Sequence, residues 1–209
     1  MNTHSSSKFS LLRSPLKCAL TCLLGLAISQ STLAQGENSN KGKWIVGLKA
    51  AQVEVSGLNT DTAEFEEADA FGIVVGYEFN NLIGGTNGTA SFEVEYLATE
   101  DTNIEGFDSS LGEYNAEILN AFFGYRSSGQ VFFKAKGGIS YVDTAADFNI
   151  FAPGTPAEIR FDDFSFAGGI GVGVRIGKER VKGIIELEIT GDTGDAETNT
   201  IALNGLVNF

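Results

Sequence analysis

From Lys43 to Phe209 the side chains alternate between two chemical types with a period of two, and this pattern limits what the chain can become. A period of two is the signature of β-strands, whose successive side chains point to opposite faces, whereas a helix repeats every 3.6 residues. Eight stretches carry it, at about 44–55, 70–79, 90–100, 115–125, 131–142, 164–176, 181–190 and 200–209. Each is close to the ~9–11 residues that a tilted strand needs to cross a bilayer.

The two faces differ in kind. One carries Trp44, Val46 and Leu48; Phe71, Ile73, Val75, Tyr77 and Phe79; Phe92, Val94 and Tyr96; and Leu119, Phe123 and Tyr125. It continues through Val131, Phe133, Ile139 and Tyr141, then Phe164, Phe166, Ile170, Val172 and Val174, Ile185, Leu187 and Ile189, and Ile201, Leu203, Val207 and Phe209, without one charged residue. The other face carries Lys49, Lys134, Lys136, Arg175 and Lys182 with Glu78, Glu93, Glu95, Glu186 and Glu188, among glycines such as Gly72, Gly76, Gly169, Gly171 and Gly173. A soluble sandwich or barrel turns its apolar face inward and its charges to water. Here the charged face is balanced and glycine-rich, as a narrow lumen of paired charges requires. The uncharged face gathers its rings near strand ends, like the aromatic girdles of a lipid-facing wall. Backbone groups in hydrocarbon must all be paired, so such strands have to close. The predicted fold is an all-β, eight-stranded, antiparallel up-and-down transmembrane β-barrel over residues 43–209.

The first 34 residues are read as a leader outside that fold. Lys8, Arg13 and Lys17 precede an apolar run from Cys18 to Ser29, and Thr32 and Ala34 are the small residues a signal peptidase needs. The run is too short for a spanning helix, which needs ~20 residues. Cys22 lies inside the run instead of closing it, unlike a lipidated cysteine. Cleavage after Ala34 leaves residues 35–42 as a polar lead-in. It also removes Cys18, Cys22 and His4, which are both cysteines and the only histidine. The remainder has 11 basic and 27 acidic residues, a formal charge of −16, and such a chain is a poor nucleic-acid binder.

Connections alternate in length: long at 56–69, 101–114, 143–163 and 191–199, shorter at 80–89, 126–130 and 177–180. Outer-membrane barrels keep short turns in the periplasm and long loops outside, so both termini are expected in the periplasm. The long loops hold most of the acids, including Glu64, Glu66, Glu67 and Asp69, Glu105 and Glu113, Asp143, Asp162 and Asp163, and Asp192 and Asp195. The third also carries Phe148, Ile150, Phe151, Pro153, Pro156 and Phe161, either a contact surface or a lid over the barrel mouth. Acid pairs such as Asp162 and Asp163 could attract Ca²⁺, but no spacing matches a defined calcium loop.

With these features the chain resembles the small OmpA-like outer-membrane β-barrel family over residues 35–209, without a peptidoglycan-binding domain after Phe209. The last strand, with Ile201, Leu203, Gly205, Val207 and Phe209, is similar to the terminal signal read by the barrel assembly machinery. In that family the third residue from the end is often aromatic, where this chain has Val207. The resemblance implies partnership with outer-membrane lipid, lipopolysaccharide and that machinery, and a monomer; the acidic loops could meet an extracellular ligand. It is nearly silent on activity. Loss of the histidine removes the base of the histidine-dependent mechanisms, so no catalytic, cofactor or metal site is expected. The lumen residues Lys49, Glu93, Glu95, Lys134, Lys136, Arg175, Glu186 and Glu188 are read as an internal ion-pair network. The interior of eight strands is just wide enough for side chains, so a structural or surface-interaction role is favoured over a narrow channel for small solutes.

Overall fold

The computed structural model describes residues 42–58, 63–79, 88–106, 110–148, 157–177 and 182–209. The expected leader and most of the lead-in lie outside the described residues, as do Ile150, Phe151, Pro153 and Pro156. No helix among the described residues is long and apolar enough to cross a membrane, which says nothing about strands.

Ten strands form one antiparallel sheet: β1 (Lys43–Val55), β2 (Glu64–Phe65), β3 (Ala68–Phe79), β4 (Gly88–Thr99), β5 (Thr102–Glu105), β6 (Ser110–Ser127), β7 (Val131–Phe148), β8 (Ala157–Ile176), β9 (Lys182–Asp192) and β10 (Thr198–Asn208). Eight of them close a ring in the order β1, β3, β4, β6, β7, β8, β9, β10, with β10 paired back onto β1. The ring is sealed at its end, where Trp44 and Phe209 exchange N–H···O bonds of 3.0 Å in both directions. We call the end bearing these residues the terminal rim and the opposite end the far rim.

The alternation of the sequence becomes an outside and an inside. Leu48, Phe71, Phe133, Phe164, Phe166, Ile170 and Leu203 are all more than half exposed on the outer wall, an arrangement that only a hydrocarbon solvent makes favourable. At the terminal rim, Trp44, Tyr77, Phe79 and Phe123 form a chain of ring contacts with centroids 5.2, 5.2 and 6.1 Å apart. Toward the far rim, Tyr96, Leu119, Tyr141 and Phe164 stand opposite one another on β4, β6, β7 and β8.

One outward row beyond them, Ala98, Glu117, Asp143 and Asp162 are directly opposed on the same four strands. Like charges placed across strands repel and are tolerable only where water screens them. The apolar wall therefore ends at the aromatic row.

The strands do not end there, and this corrects the expected loop boundaries. β6 begins at Ser110 and not near 115, β7 runs to Phe148 and not 142, and β8 starts at Ala157 and not 164. Two short strands that the sequence reading missed, β2 and β5, widen this region: β5 pairs with β6, and β2 with β5. Past the aromatic row the pattern inverts. Gln52, Glu54, Asp69, Glu113 and Asp147 point outward and are exposed. Val53, Val55, Phe65, Leu97, Ile104, Tyr114, Ile118, Val142 and Ala146 point inward and pack as one buried apolar cluster. This end of the barrel is built like a soluble protein. Tyr114 stacks edge-on to Phe65 at 5.0 Å and donates its hydroxyl to the carbonyl of Glu66, clipping β2 over the cluster. Burial and the Glu66 carboxylate push that hydroxyl up to about 12, so it remains a donor.

Candidate functional site: the charged lumen and its two mouths

Below the apolar cluster the lumen holds ions. Counting round the ring, β1 lies opposite β7 and β4 opposite β9. Lys49 stands on β1 and Lys134 and Lys136 on β7; Glu93 and Glu95 stand on β4 and Glu186 and Glu188 on β9. Two cationic strands thus alternate with two anionic ones at quarter turns, so each lysine reaches glutamates on both sides. Lys49 Nζ meets Glu95 at 2.6 Å and Glu188 at 2.7 Å. Lys134 Nζ meets Glu93 at 2.7 Å, Glu186 at 2.7 Å and Glu188 at 2.8 Å. Lys136 Nζ meets Glu95 at 2.5 Å and Glu188 at 2.6 Å, and lies 4.0 Å above the Phe122 ring. These charges are buried, and desolvating them is offset only because every lysine has at least two carboxylates.

Glycines make room for the crossing. Gly171 on β8 is paired with Lys134 on one side and Glu188 on the other, and Gly169 is paired with Lys136 and Thr190. A Cβ on Gly171 would lie 2.9 Å from the Leu187 carbonyl oxygen, and one on Gly169 would lie 3.2 Å from Cε of Lys136 as that side chain passes β8.

The network departs from the sequence expectation at one end. Arg126, read as part of a polar turn, lies on β6 and is fully buried. It meets Glu93 at 2.9 Å, Glu186 at 3.1 Å and Glu78 at 3.4 Å. Its inward parity with Phe122 and Gly124 was the available signal. Arg175, expected in the network, instead donates to the carbonyls of Ser127 (3.1 Å) and Gly129 (2.6 Å), with its guanidinium 4.3 Å over the Phe132 ring. It sits too near the terminal rim, beside the β6–β7 turn, to reach the central carboxylates. Lys182 is likewise at that mouth.

A cavity of about 890 Å³ opens at the terminal rim, with Lys43, Glu78, Thr89, Arg175, Lys182 and Asn208 in its lining. The residues expected to act in assembly, Gly205, Val207 and Phe209, lie on the outer face of the last strand and its end, with Gly205 opposite Leu48 and Val207 opposite Val46. Among the described residues no group of His, Cys, Asp and Glu is gathered as a metal site.

A closed ring of eight strands with an uncharged outer wall, aromatic rows bounding it and a charge-filled interior defines an integral outer-membrane β-barrel. The chain belongs to the outer membrane protein β-barrel domain family, which it matches over residues 19–209. No curated protein matches it in sequence. Among solved structures it is similar to Ail, the attachment invasion locus protein of Yersinia pestis, with 14% identity and a TM-score of 0.50 over 82% of this chain and 100% of that one. It is also similar to the N-terminal β-barrel domain of Pseudomonas aeruginosa OprF (17% identity, TM-score 0.46, 81% and 100% covered) and to Neisserial surface protein A (13%, 0.46, 79% and 95%). At these identities the likeness concerns the fold alone.

Proposed function

We propose that this barrel is a closed, non-catalytic surface-interaction protein whose far rim faces the cell exterior and whose termini face the periplasm. The observation that carries the reading is the inversion of the side-chain pattern beyond the aromatic row. β6, β7 and β8, with β5 and β2 added, continue into water as a five-stranded sheet. Among the described residues, the part of β8 from Ala157 to Asp162 is in register only with β7, whereas Asp163 and Phe166 accept hydrogen bonds from Ala196 and Thr193 of the β9–β10 turn. A sheet edge standing clear of the membrane is suited to pairing with an extended segment of another protein. Its outer face is acidic, which favours a basic partner.

The channel reading is weakened by two successive obstructions, the ion network and the apolar cluster beyond it. The lipid-facing positions of Gly205, Val207 and Phe209 suit recognition by assembly machinery, and the apolar wall suits lipid and lipopolysaccharide. A monomer accounts for the ring, since closure needs no second copy.

The reading is tested by shortening the β7–β8 extension through deletion of residues 145–160 and displaying both proteins on cells. Adhesion or cell–cell aggregation conferred by the parent and lost with the shortened hairpin, while both remain folded, is the expected result. Equal adhesion, or stable large conductance of the parent in planar bilayers, would overturn it.

A further inference from the structure

The cavity at the terminal mouth has a chemistry that closing the barrel does not require. Its lining includes Lys43, Arg175 and Lys182 and one carboxylate, Glu78. That carboxylate is already engaged by Arg126 at 3.4 Å and by the Asn208 amide. The lining is therefore positive in a chain whose formal charge is −13.

Arg175 is fixed rather than loose. Its Nη1 is held by the carbonyls of Ser127 and Gly129, and its plane lies over Phe132. A guanidinium has five N–H donors in a rigid fork, so three remain for a ligand once Nη1 is committed to the main chain. Two further polar atoms in the lining, Thr89 Oγ1 and Asn208 Oδ1, are buried without a hydrogen-bond partner. Each can accept from a ligand hydroxyl once its side chain turns toward the cavity. The cavity is of the size that holds small organic ligands, whose sites run ~300–1,000 Å³.

We propose that the terminal mouth is a binding site for a small hydroxylated anion bearing a phosphate or carboxylate group. Arg175 and Lys182 take the anionic group, Lys43 adds to the field, and Thr89 and Asn208 accept from the hydroxyls. The cation pair does what backbone closure cannot: it selects charge and orientation by charge-assisted hydrogen bonds. The site does not depend on the membrane orientation proposed above, which decides only the compartment that supplies the ligand.

The test uses the folded barrel in detergent micelles, titrated with inorganic phosphate and with glucose 6-phosphate at constant ionic strength. Amide resonances of Thr89, Gly129 and Asn208 are followed, with Glu113→Gln as a charge-changing control at the far end. Saturable shifts confined to this mouth are expected, tighter for the sugar phosphate, and weakened about tenfold in Lys182→Gln and in Arg175→Gln. Because Arg175 also holds the β6–β7 turn, Lys182→Gln is the decisive variant if Arg175→Gln fails to fold. Shifts that never saturate, that spread along the outer surface, or that persist unchanged in Lys182→Gln would overturn the proposal.

Discussion

Replacing Lys134 by methionine removes the lysine with the most carboxylate partners in the lumen while keeping most of its length and its apolar stem. The ion network comprises Lys49, Arg126, Lys134 and Lys136 against Glu78, Glu93, Glu95, Glu186 and Glu188, a formal charge of −1 that becomes −2 in Lys134→Met. Removing one partner of a buried pair costs about 3–5 kcal/mol. Each orphaned carboxylate keeps another cation: Glu93 and Glu186 keep Arg126 at 2.9 and 3.1 Å, and Glu188 keeps Lys49 and Lys136. The loss therefore belongs at the low end, about 3 kcal/mol, or a fall of about 1–3 M in the urea midpoint. Adding Glu186→Gln restores the formal charge to −1, so the double variant should be at least about 1 kcal/mol more stable than the two single losses summed. Trp44, the only tryptophan, sits in the terminal girdle and reports unfolding from vesicles by fluorescence. An unchanged midpoint in Lys134→Met, or strict additivity in the double variant, would refute a network of mutually dependent charges.

Other substitutions test other parts of the account. Gly171→Val puts a branched side chain against the Leu187 carbonyl and the stem of Glu188, and should leave most of the protein unfolded on gels that separate folded from heat-denatured barrel. Val53→Asp places an unpaired carboxylate inside the far apolar cluster and should cost several kcal/mol, about the penalty of an unpaired buried charge, seen as faster amide exchange in β2 and β5 with the transmembrane strands still protected. Tyr114→Phe deletes the bond to the Glu66 carbonyl and should cost about 1 kcal/mol locally. Because the Tyr114 pKa is raised from 10.0 to about 12, the clip contributes fully below pH 10 and is lost as pH rises toward 12. In Tyr114→Phe, exchange of the β2 amides should lose that pH step.

The transmembrane part of the barrel was legible because lipid and lumen impose opposite demands on successive residues. From that alternation, and from consecutive antiparallel strands, Glu93, Glu95, Glu186 and Glu188 fall opposite one another with the lysines between them. Arg126 was obscured by its neighbours Ser127, Ser128 and Gly129, which read as a turn, although it continues the inward parity of Phe122 and Gly124. The far extension was obscured for a different reason. From Val142 to Phe148 the period of two persists, but with acids outward and apolar residues inward, and acids near a barrel rim resemble a solvated loop. β2 and β5, at two and four residues, are too short to show periodicity at all. The cavity at the terminal mouth depends on where Arg175 and Lys182 end relative to the turns, which a pattern along single strands does not reveal.

The central claim is that the lipid-facing wall ends at one row of aromatic residues and that the strands go on into water. Spin labels at the outward positions of β7, from Phe133 through Ile139 and Tyr141 to Asp143, Ala145 and Asp147, measure this directly in bilayers through their relative accessibility to oxygen and to a water-soluble nickel chelate. Oxygen should dominate from Phe133 to Ile139, with a crossover at Tyr141 and the chelate dominating from Asp143 to Asp147. Chelate accessibility along the whole strand, or oxygen dominance continuing to Asp147, would contradict the account.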